Sequence, residues 1–366
     1  MYRSVIMTQE TNQQIDIKEL LKSVLHFESS DLHLVAGSKP QIRIDKALKP
    51  LNLHVLSAKE IEDMAYALIE DKQKKIFEDK NELDFSFELE NIGRFRANYY
   101  RTIRGIACAF RTIPVDVPPL EKFNNNPIFK ELIKRERGLI LVTGPTGSGK
   151  STTLASMLHE INLTENKHII TIEDPVEFVH TNINSIFSQR EIGSNTSSFA
   201  TALKFALRQD PDVILVGEMR DKETISAALT AAETGHIVFG TLHTNSAPST
   251  INRIIDVFDA KEQAQVRAQL ASSLISVISQ SLIPRVSGGI IATQEILIAN
   301  TAIQNLIRED KVHQIYSQMQ LNQNETHMTT QTDQLTTLLR KGIISKESAI
   351  KASNRPEELI RIIHNL

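Results

Sequence analysis

The spacing of hydrophobic positions differs between the first third of the chain and the rest. In residues 15–27 apolar side chains recur three and four positions apart, which predicts an amphipathic helix, and residues 57–79 are also helical in pattern. Ser57 and Glu60 form a capping-box pattern at the start of the second helix. LHLVAG and QIRID are typical of short strands, and the alternation in LDFSFEL, GRFRANYY and GIACAFR predicts an antiparallel meander. We therefore expect an α+β domain over residues 1–112.

The remaining two thirds alternates apolar runs with helical patterns. The predicted strands are GLILVTG, HIITIED, DVILVGE, HIVFGTLH and GIIATQEIL. Near-continuous apolar strands separated by helices indicate a parallel sheet covered on both faces, so the predicted fold class of residues 127–366 is α/β. From about residue 301 the pattern is helical, with a polar interruption at QLNQNETHMTTQTD that predicts a mobile loop.

A segment of different composition separates these two patterns. Residues 113–127 contain four prolines and three consecutive asparagines, which favour turns and extended chain over helices or strands. We interpret residues 113–126 as an interdomain linker.

Composition restricts the class of protein and its location. The 366 residues carry a net charge of -3, so no overall field draws the chain to nucleic acid or anionic lipid. One cysteine, Cys108, allows neither an internal disulfide nor a multi-cysteine metal site, as is usual in a reducing compartment. The first residues lack a signal-peptide pattern and no run approaches the length of a membrane span. We expect a cytoplasmic protein that contacts a membrane only peripherally.

A phosphate-binding motif lies between a predicted strand and a predicted helix. VTGPTGSGKSTT fits G-x-x-x-x-G-K-[ST], in which backbone N–H groups at a helix N-terminus surround phosphates. Lys150 is expected to reach the β- and γ-phosphates of ATP, and Ser151 to ligate Mg²⁺. A glycine- and serine-rich structural turn is the alternative. The predicted nucleotide-binding residues are Gly144, Pro145, Thr146, Gly147, Ser148, Gly149, Lys150, Ser151 and Thr152.

Carboxylates follow two further predicted strands. DPDVILVGEMRD ends its apolar run at Glu218, which we predict to be the general base for the attacking water. Glu173, Asp174 and Glu177 follow the strand in ITIEDPVEFVH, at the sheet edge where ligands bind, and are candidates to hold Mg²⁺ or its waters. The alternative for each acid is a solvated side chain.

Two histidines flank the strand in TGHIVFGTLHTNSA. His243, at the strand exit, is a candidate to donate a hydrogen bond to a γ-phosphate or to respond to its loss. A purely structural role is the alternative for both His236 and His243.

Taken in order, these four motifs resemble the Walker A, Asp box, Walker B and His box of the secretion ATPases of type II secretion and type IV pili. DLHLV, RFRAN and AIQNLIRE look like the pilus-retraction branch. The resemblance implies a homo-hexameric ring of subunits with a PAS-like N-terminal domain and a RecA-like ATPase domain, the latter ending in a helical region from about residue 301. It also implies catalytic roles for Glu218, Glu177 and His243, and for N-terminal-domain arginines that approach the nucleotide. Arg96 and Arg111, and less directly Arg104, occupy the matching stretch.

Two features bear on the branch. The assembly ATPases usually carry a further N-terminal domain and a four-cysteine zinc site, for which this chain is too short and has too few cysteines. One feature counts against a main retraction motor: Gln304 stands where the pilus-retraction branch usually has the first arginine of AIRNLIRE. Glutamine lacks the positive charge and the paired N–H donors of arginine. An accessory retraction motor is therefore an alternative.

The resemblance implies partners as well. They are a pilus platform protein of the inner membrane and other pilus motor ATPases, met at the cytoplasmic face of that membrane. A nucleic-acid motor is disfavoured by the near-neutral charge, and an ATP-binding scaffold without hydrolysis by the presence of Glu218.

Overall fold

The computed structural model describes residues 15–27, 29–44, 47–114, 116–122, 127–321 and 323–364. The chain forms two compact units that divide between Asp116 and Val117. Leu120, in a short 3₁₀ helix at Leu120–Lys122, is buried in the core of the second unit. The segment predicted as a linker therefore contributes packing to the unit that follows it, while its residues 115 and 123–126 lie outside the described ranges.

The first unit is a six-stranded antiparallel sheet with three helices. In chain order it contains α1 (Ile17–His26), β1 (Asp31–Leu34), β2 (Gln41–Ile44), β3 (Ala47–Pro50), α2 (Ala58–Tyr66), α3 (Asp71–Lys80), β4 (Glu82–Leu89), β5 (Gly93–Thr102) and β6 (Gly105–Ile113). The strand order is β3-β2-β1-β6-β5-β4. The predicted meander is β4 to β6, and its inward aromatic residues Phe95, Tyr99 and Phe110 share one core with Leu21 of α1 and Phe77 of α3.

The helical pattern predicted over residues 57–79 is present, but it is divided between two helices. The capping box at its start is present, since Glu60 accepts from the Ser57 N–H at 2.8 Å, but the helix ends at Tyr66. A second capping box, in which the Gln73 side chain accepts from the Glu70 N–H at 3.1 Å, opens α3. Leu68 and Ile69, which lie between the two helices, also pack against the core. The apolar spacing in the sequence is therefore continuous although the helix is interrupted.

The second unit contains a seven-stranded sheet. In chain order its elements are α4 (Ile128–Leu132), β7 (Gly138–Thr143), α5 (Lys150–Thr164), β8 (His168–Glu173), β9 (Ile186–Glu191), α6 (Phe199–Ala206), β10 (Val213–Val216), α7 (Lys222–Glu233), β11 (Ile237–Leu242), α8 (Ala247–Asp256), α9 (Ala260–Ser273), β12 (Leu274–Pro284), β13 (Ile290–Ile298), α10 (Thr301–Arg308), α11 (Ile315–Met319), α12 (Gln323–Thr326), α13 (Gln331–Arg340), α14 (Lys346–Ala352) and α15 (Pro356–His364). The strand order is β13-β12-β7-β11-β10-β8-β9.

All neighbouring strands in this sheet run parallel except β12 and β13. The α/β fold class is confirmed. The prediction that GIIATQEIL belongs to the parallel strands is wrong, because β13 pairs antiparallel with β12. The two strands are joined by a short turn in which the Arg285 N–H donates to the Gly289 carbonyl oxygen at 3.0 Å. Strands β9 and β12 were not predicted. Their polar residues interrupt the apolar pattern that identifies the other strands.

The prediction of a mobile loop at QLNQNETHMTTQTD is also wrong. The segment includes α12, a bridge between Thr329 and Ile296 of β13, and the start of α13, where Thr330 and Asp333 form a capping box. Met328 is buried in the core. Residues that cap helices, such as Thr330 and Asp333, are of the same types as those found in loops, so the composition resembled that of a loop.

The central strands bring four chain segments to one edge of the sheet. β7, β10 and β11 are buried along their whole length between two apolar clusters, one on each face. Because β7, β8, β10 and β11 are parallel, the residues after each strand lie at the same edge. Among the described residues, no helix is both long and apolar enough to cross a bilayer.

Candidate active site

The loop from Gly144 to Gly149 connects β7 to α5 at this edge. Gly144 has a φ of 144°, and a Cβ there would lie 2.2 Å from the carbonyl oxygen of Gln280 on β12. Gly149, the N-cap of α5, has a φ of 83°, a conformation that favours glycine. Pro145, Thr146 and Gly147 are exposed, Ser148 is buried, and Ser151 and Thr152 are half-buried in the first turn of α5. Since the first N–H groups of a helix have no intrahelical acceptor, this loop is suited to bind phosphate oxygens.

Lys150 is the first residue of α5 and its side chain spans the loop. Its Nζ donates to the carbonyl oxygens of Gly144 at 2.8 Å and Pro145 at 3.2 Å. Burial lowers the pKa of Lys150, while the negative charges of Glu218 and Glu177 act in the opposite direction. Lys150, Glu177 and Glu218, which belong to three separate sequence motifs, therefore interact electrostatically.

Glu218 follows β10 and lies against His243, which follows β11. His243 Nε2 is 3.1 Å from Glu218 Oε1, a hydrogen-bond distance when Nε2 carries the proton. The same Oε1 accepts from Arg220, whose side chain is largely exposed. The Glu218 side chain is 19% exposed and that of His243 is 42% exposed, so water reaches both groups. The geometry pairs a carboxylate that can accept a proton with an imidazole that can orient it.

Glu173 and Ser151 line one cavity of about 30 Å³, together with Gly217 and Thr241. Burial raises the pKa of Glu173 to about 7, although a hydrogen bond from the Glu177 N–H, at 3.4 Å, opposes this shift. Asp174 and Glu177 are exposed. Within the described residues, no group of three or more His, Cys, Asp or Glu side chains is arranged to hold a metal ion. The side-chain oxygen groups at this cavity are the Ser151 and Thr241 hydroxyls and the Glu173 carboxylate, and the Thr241 hydroxyl donates to the Gly217 carbonyl. The His180 imidazole also lines the cavity.

Gln280 supports the loop and was missed in the sequence. It is 1% exposed on β12, and its Nε2 donates to the Ser148 carbonyl at 2.6 Å. Its Oε1 accepts from Thr153 Oγ1 at 2.9 Å and from the side chain of Gln294 on β13 at 3.0 Å. The only signal was a run of polar residues inside an otherwise apolar segment, and in isolation that pattern predicts no role.

His236, the residue before β11, has a structural role. Its Nδ1 lies 3.0 Å from the Ala231 carbonyl oxygen and 3.4 Å from Thr234 Oγ1, at the end of α7. The structure therefore separates the two histidines of the fourth motif, since only His243 contacts a predicted catalytic residue.

Arg96 and Arg111 face each other across β5 and β6 of the first unit. Arg96 forms a two-pronged ion pair with Asp84, with Nε 3.0 Å from Oδ1 and Nη2 2.5 Å from Oδ2. Arg111 Nε donates to Asp31 on β1 at 2.8 Å. Both guanidinium groups are therefore held on one face of the sheet by carboxylates of neighbouring strands. Arg104 lies in the exposed turn between β5 and β6.

A phosphate-binding loop before a helix, with a carboxylate at the end of another parallel strand of the same sheet, defines the class of P-loop nucleotide-binding proteins. Within that class, the chain belongs to the family described as type II/IV secretion system protein, which matches residues 8–352.

Three relatives place the chain within the family. It is 51% identical over 343 residues to the type IV pilus retractation ATPase PilT of Pseudomonas aeruginosa, covering 94% of this chain and 99% of the relative. It is 34% identical over 346 residues to the type IV pilus ATPase PilU of the same organism, covering 94% and 90%. The crystal structure of the pilus retraction motor PilT with bound ADP is similar with a TM-score of 0.90 at 48% identity, covering 95% of this chain and 99% of that one.

Proposed function

We propose that this protein is an ATPase that powers type IV pilus retraction, and hence twitching motility, as a homo-hexamer working against an inner-membrane platform protein at the cytoplasmic face. The observation that carries the proposal is the contact between Glu218 and His243 at the sheet edge where Lys150 and the phosphate-binding loop lie. Near-complete coverage at 51% identity to a retraction ATPase supports the biological role.

The chemistry is hydrolysis of the terminal phosphoanhydride bond. The loop from Gly144 to Thr152 holds the phosphates, and Lys150 exchanges its bonds to loop carbonyls for bonds to phosphate oxygens. A water oxygen bonds to the γ-phosphorus as the bond to the β,γ-bridging oxygen breaks, and Glu218 accepts the proton that the water loses. His243 fixes the carboxylate and Glu177 adds negative charge beside Lys150.

The donor set at the small cavity fits Mg²⁺. A serine hydroxyl and a carboxylate are hard oxygen ligands, and Mg²⁺ typically takes one or two protein donors with the rest from phosphates and water. Ser151 and Glu173 would hold the ion, with Asp174 as an exposed neighbour able to bind its waters. Bound there, the ion would supply charge that neutralises the phosphates.

Arg96 and Arg111 are the proposed cations that neutralise charge developing on the γ-phosphoryl group, acting from a neighbouring subunit of the ring. Their support is their shared sheet face and their restraint by Asp84 and Asp31. The test is to mix inactive Arg96→Ala and Lys150→Ala proteins. If the arginine acts in trans, mixed rings regain part of the ATPase activity, and absence of any regain would assign Arg96 a role within its own subunit.

Retraction is favoured over an accessory role by the relatives, at 51% identity to PilT against 34% to PilU. Gln304 is the feature that favours the accessory motor. It lies on α10 with Ile303 and Ile307 buried beside it, and it lines a cavity with Arg135 and Arg137. Arg135 and Arg137 already carry positive charge at this cavity, so they would repel an arginine at position 304. This repulsion reduces the cost of having a neutral glutamine there.

Deletion of the gene, followed by counting surface pili and measuring twitching, tests the biological role. An excess of pili that do not retract is expected, whereas bald cells would indicate an assembly motor. Complementation with the Gln304→Arg variant distinguishes the two retraction roles. Equal retraction with either residue supports a main motor, and a gain that appears only with arginine supports the accessory motor.

A further inference from the structure

The loop that follows His243 is held in place by the C-terminal helices. Asn354, in the turn between α14 and α15, donates from Nδ2 to the carbonyl oxygen of Asn245. The backbone N–H of Asn354 donates to Gln331 Oε1 of α13 at 2.8 Å, and Gln331 Nε2 donates to the Ala352 carbonyl at 3.1 Å. The loop after the candidate catalytic histidine is thus bonded to a turn more than a hundred residues later in the chain.

A buried carboxylate fixes the other end of the same loop. Glu295 on β13 is 2% exposed; its Oε1 accepts from the Ala247 N–H at 2.8 Å and its Oε2 from the Gln331 N–H at 3.4 Å. Ala247 and Gln331 are the first residues of α8 and α13. A carboxylate is stabilising at a helix N-terminus because the free N–H groups and the helix dipole both favour negative charge. One carboxylate, that of Glu295, therefore accepts hydrogen bonds from the first residues of both α8 and α13.

These contacts leave few ways for His243 to move independently. The histidine lies between Leu242, the last residue of β11, and a three-residue segment that ends where α8 begins. Within that segment Thr244 Oγ1 is 2.6 Å from Thr250 Oγ1, and Asn245 is bonded to Asn354. The side-chain restraints on the segment come from α8 itself and from the C-terminal turn.

We propose that Asn354 and Glu295 are positioning residues for catalysis, which set the place of His243 relative to Glu218. The C-terminal helical region is by this inference part of the hydrolytic site without touching the nucleotide. A shift of that region moves the His243 loop, and hydrolysis slows while ATP binding at the Gly144–Thr152 loop is retained. The inference rests on the proposed ATPase function and on the role of His243 within it.

The test is a double-mutant cycle on the full-length protein, measuring kcat and KM for ATP hydrolysis. Asn354 is exposed, and Asn354→Ala removes its bond to Asn245 while its backbone bond to Gln331 stays. We expect kcat to fall about tenfold with KM within about twofold, and no further fall when Asn354→Ala is added to His243→Ala, because residues that act as one unit are not additive. Asn354→Asp, which keeps the shape without the donor, should behave like Asn354→Ala.

Gln320→Ala is the matched control, since Gln320 is also an exposed amide of the C-terminal region and its Nε2 bonds to Glu358 at 3.2 Å. Its kcat should equal that of the wild type. The inference is overturned if Asn354→Ala keeps wild-type kcat, if its effect multiplies with that of His243→Ala, or if His243→Ala alone is fully active. Each of these results leaves ATP hydrolysis standing, whereas a wild-type protein that releases no phosphate removes the proposed function itself.

Discussion

The two halves of the candidate active site are built differently. The phosphate-binding half consists of backbone groups, the buried Lys150 side chain and buried amides, with Gly144 packed against β12 and Gln280 bonded to the loop. The half that would activate water consists of charged and ionisable side chains open to solvent, with Glu218 19% and His243 42% exposed. In the proposed mechanism, nucleotide binding therefore depends on the packed sheet, and hydrolysis depends on ionisable side chains that solvent reaches.

This difference has a physical basis. Buried polar groups require fixed partners, because leaving one unpaired costs about 1–3 kcal/mol, so the loop geometry is set when the protein folds. Side chains that solvent reaches adopt a productive position only when other groups hold them, as Arg220 and His243 contact the half-buried Glu218. A motor that couples hydrolysis to movement needs the second kind of site, in which binding can precede the chemical step.

Glu218→Gln is expected to give the largest effect, because it removes the proposed proton acceptor and leaves the phosphate-binding loop intact. We expect kcat for phosphate release to fall about 10²–10⁴-fold, with ATP affinity within about twofold of the wild type. Glu223→Gln, at an exposed acid five residues later on α7, is the control and should be fully active. Normal turnover by Glu218→Gln would show that another group is the base.

Gly144→Ala tests the packing of the phosphate-binding loop against β12. Its Cβ would lie 2.2 Å from the Gln280 carbonyl oxygen in addition to requiring a positive φ, so we expect the free energy of unfolding to fall by about 3 kcal/mol or more. Gly193→Ala separates the two causes, since Gly193 has a φ of 85° with open space around it, and it should lose only about 1–2 kcal/mol. Chemical denaturation of both variants measures the difference, and equal losses would show that close packing at Gly144 is unimportant.

Gln280→Met tests the same half without a change of volume. It removes the hydrogen bonds of Gln280 to the Ser148 carbonyl and the Thr153 hydroxyl, so the phosphate-binding loop is no longer bonded to β12 through this side chain. We expect KM for ATP to rise about tenfold, which corresponds to about 1.4 kcal/mol, while kcat changes less than about twofold. The control Gln263→Met removes one amide bond, to Phe258, from the α9 region and should leave KM unchanged.

Glu173, which lines the small cavity with Ser151, should make the stability of the protein depend on pH. Burial raises its pKa to about 7 from 4.5, so between these pH values the unfolded chain loses a proton that the folded protein keeps. In the absence of metal, the free energy of unfolding should therefore fall by about 1–3 kcal/mol as pH rises through this range. His180, with its pKa lowered to about 4 by burial, contributes the opposite slope, so the difference between wild type and Glu173→Gln isolates the carboxyl. Parallel pH curves for the two proteins would contradict the assignment.

The sequence predicted what depends on local patterns. The phosphate-binding loop was predicted because strand, loop and helix are consecutive, and Glu218 and His243 because each follows a continuous apolar strand. It did not predict β12 or Gln280, because buried polar residues are recognisable only once their tertiary partners are known. The break between α2 and α3 was hidden for a related reason, since core packing kept the apolar spacing regular across it. The partners of Arg96 and Arg111 likewise depend on strand register.

The most direct test of the division between binding and hydrolysis is the dependence of ATP hydrolysis rate on ATP concentration for Glu218→Gln and Gln280→Met, measured side by side. We expect the first variant to lose kcat with KM retained and the second to raise KM with kcat retained. If both variants change the same parameter by similar factors, or if Glu218→Gln retains its kcat, the two halves of the site do not have separate functions.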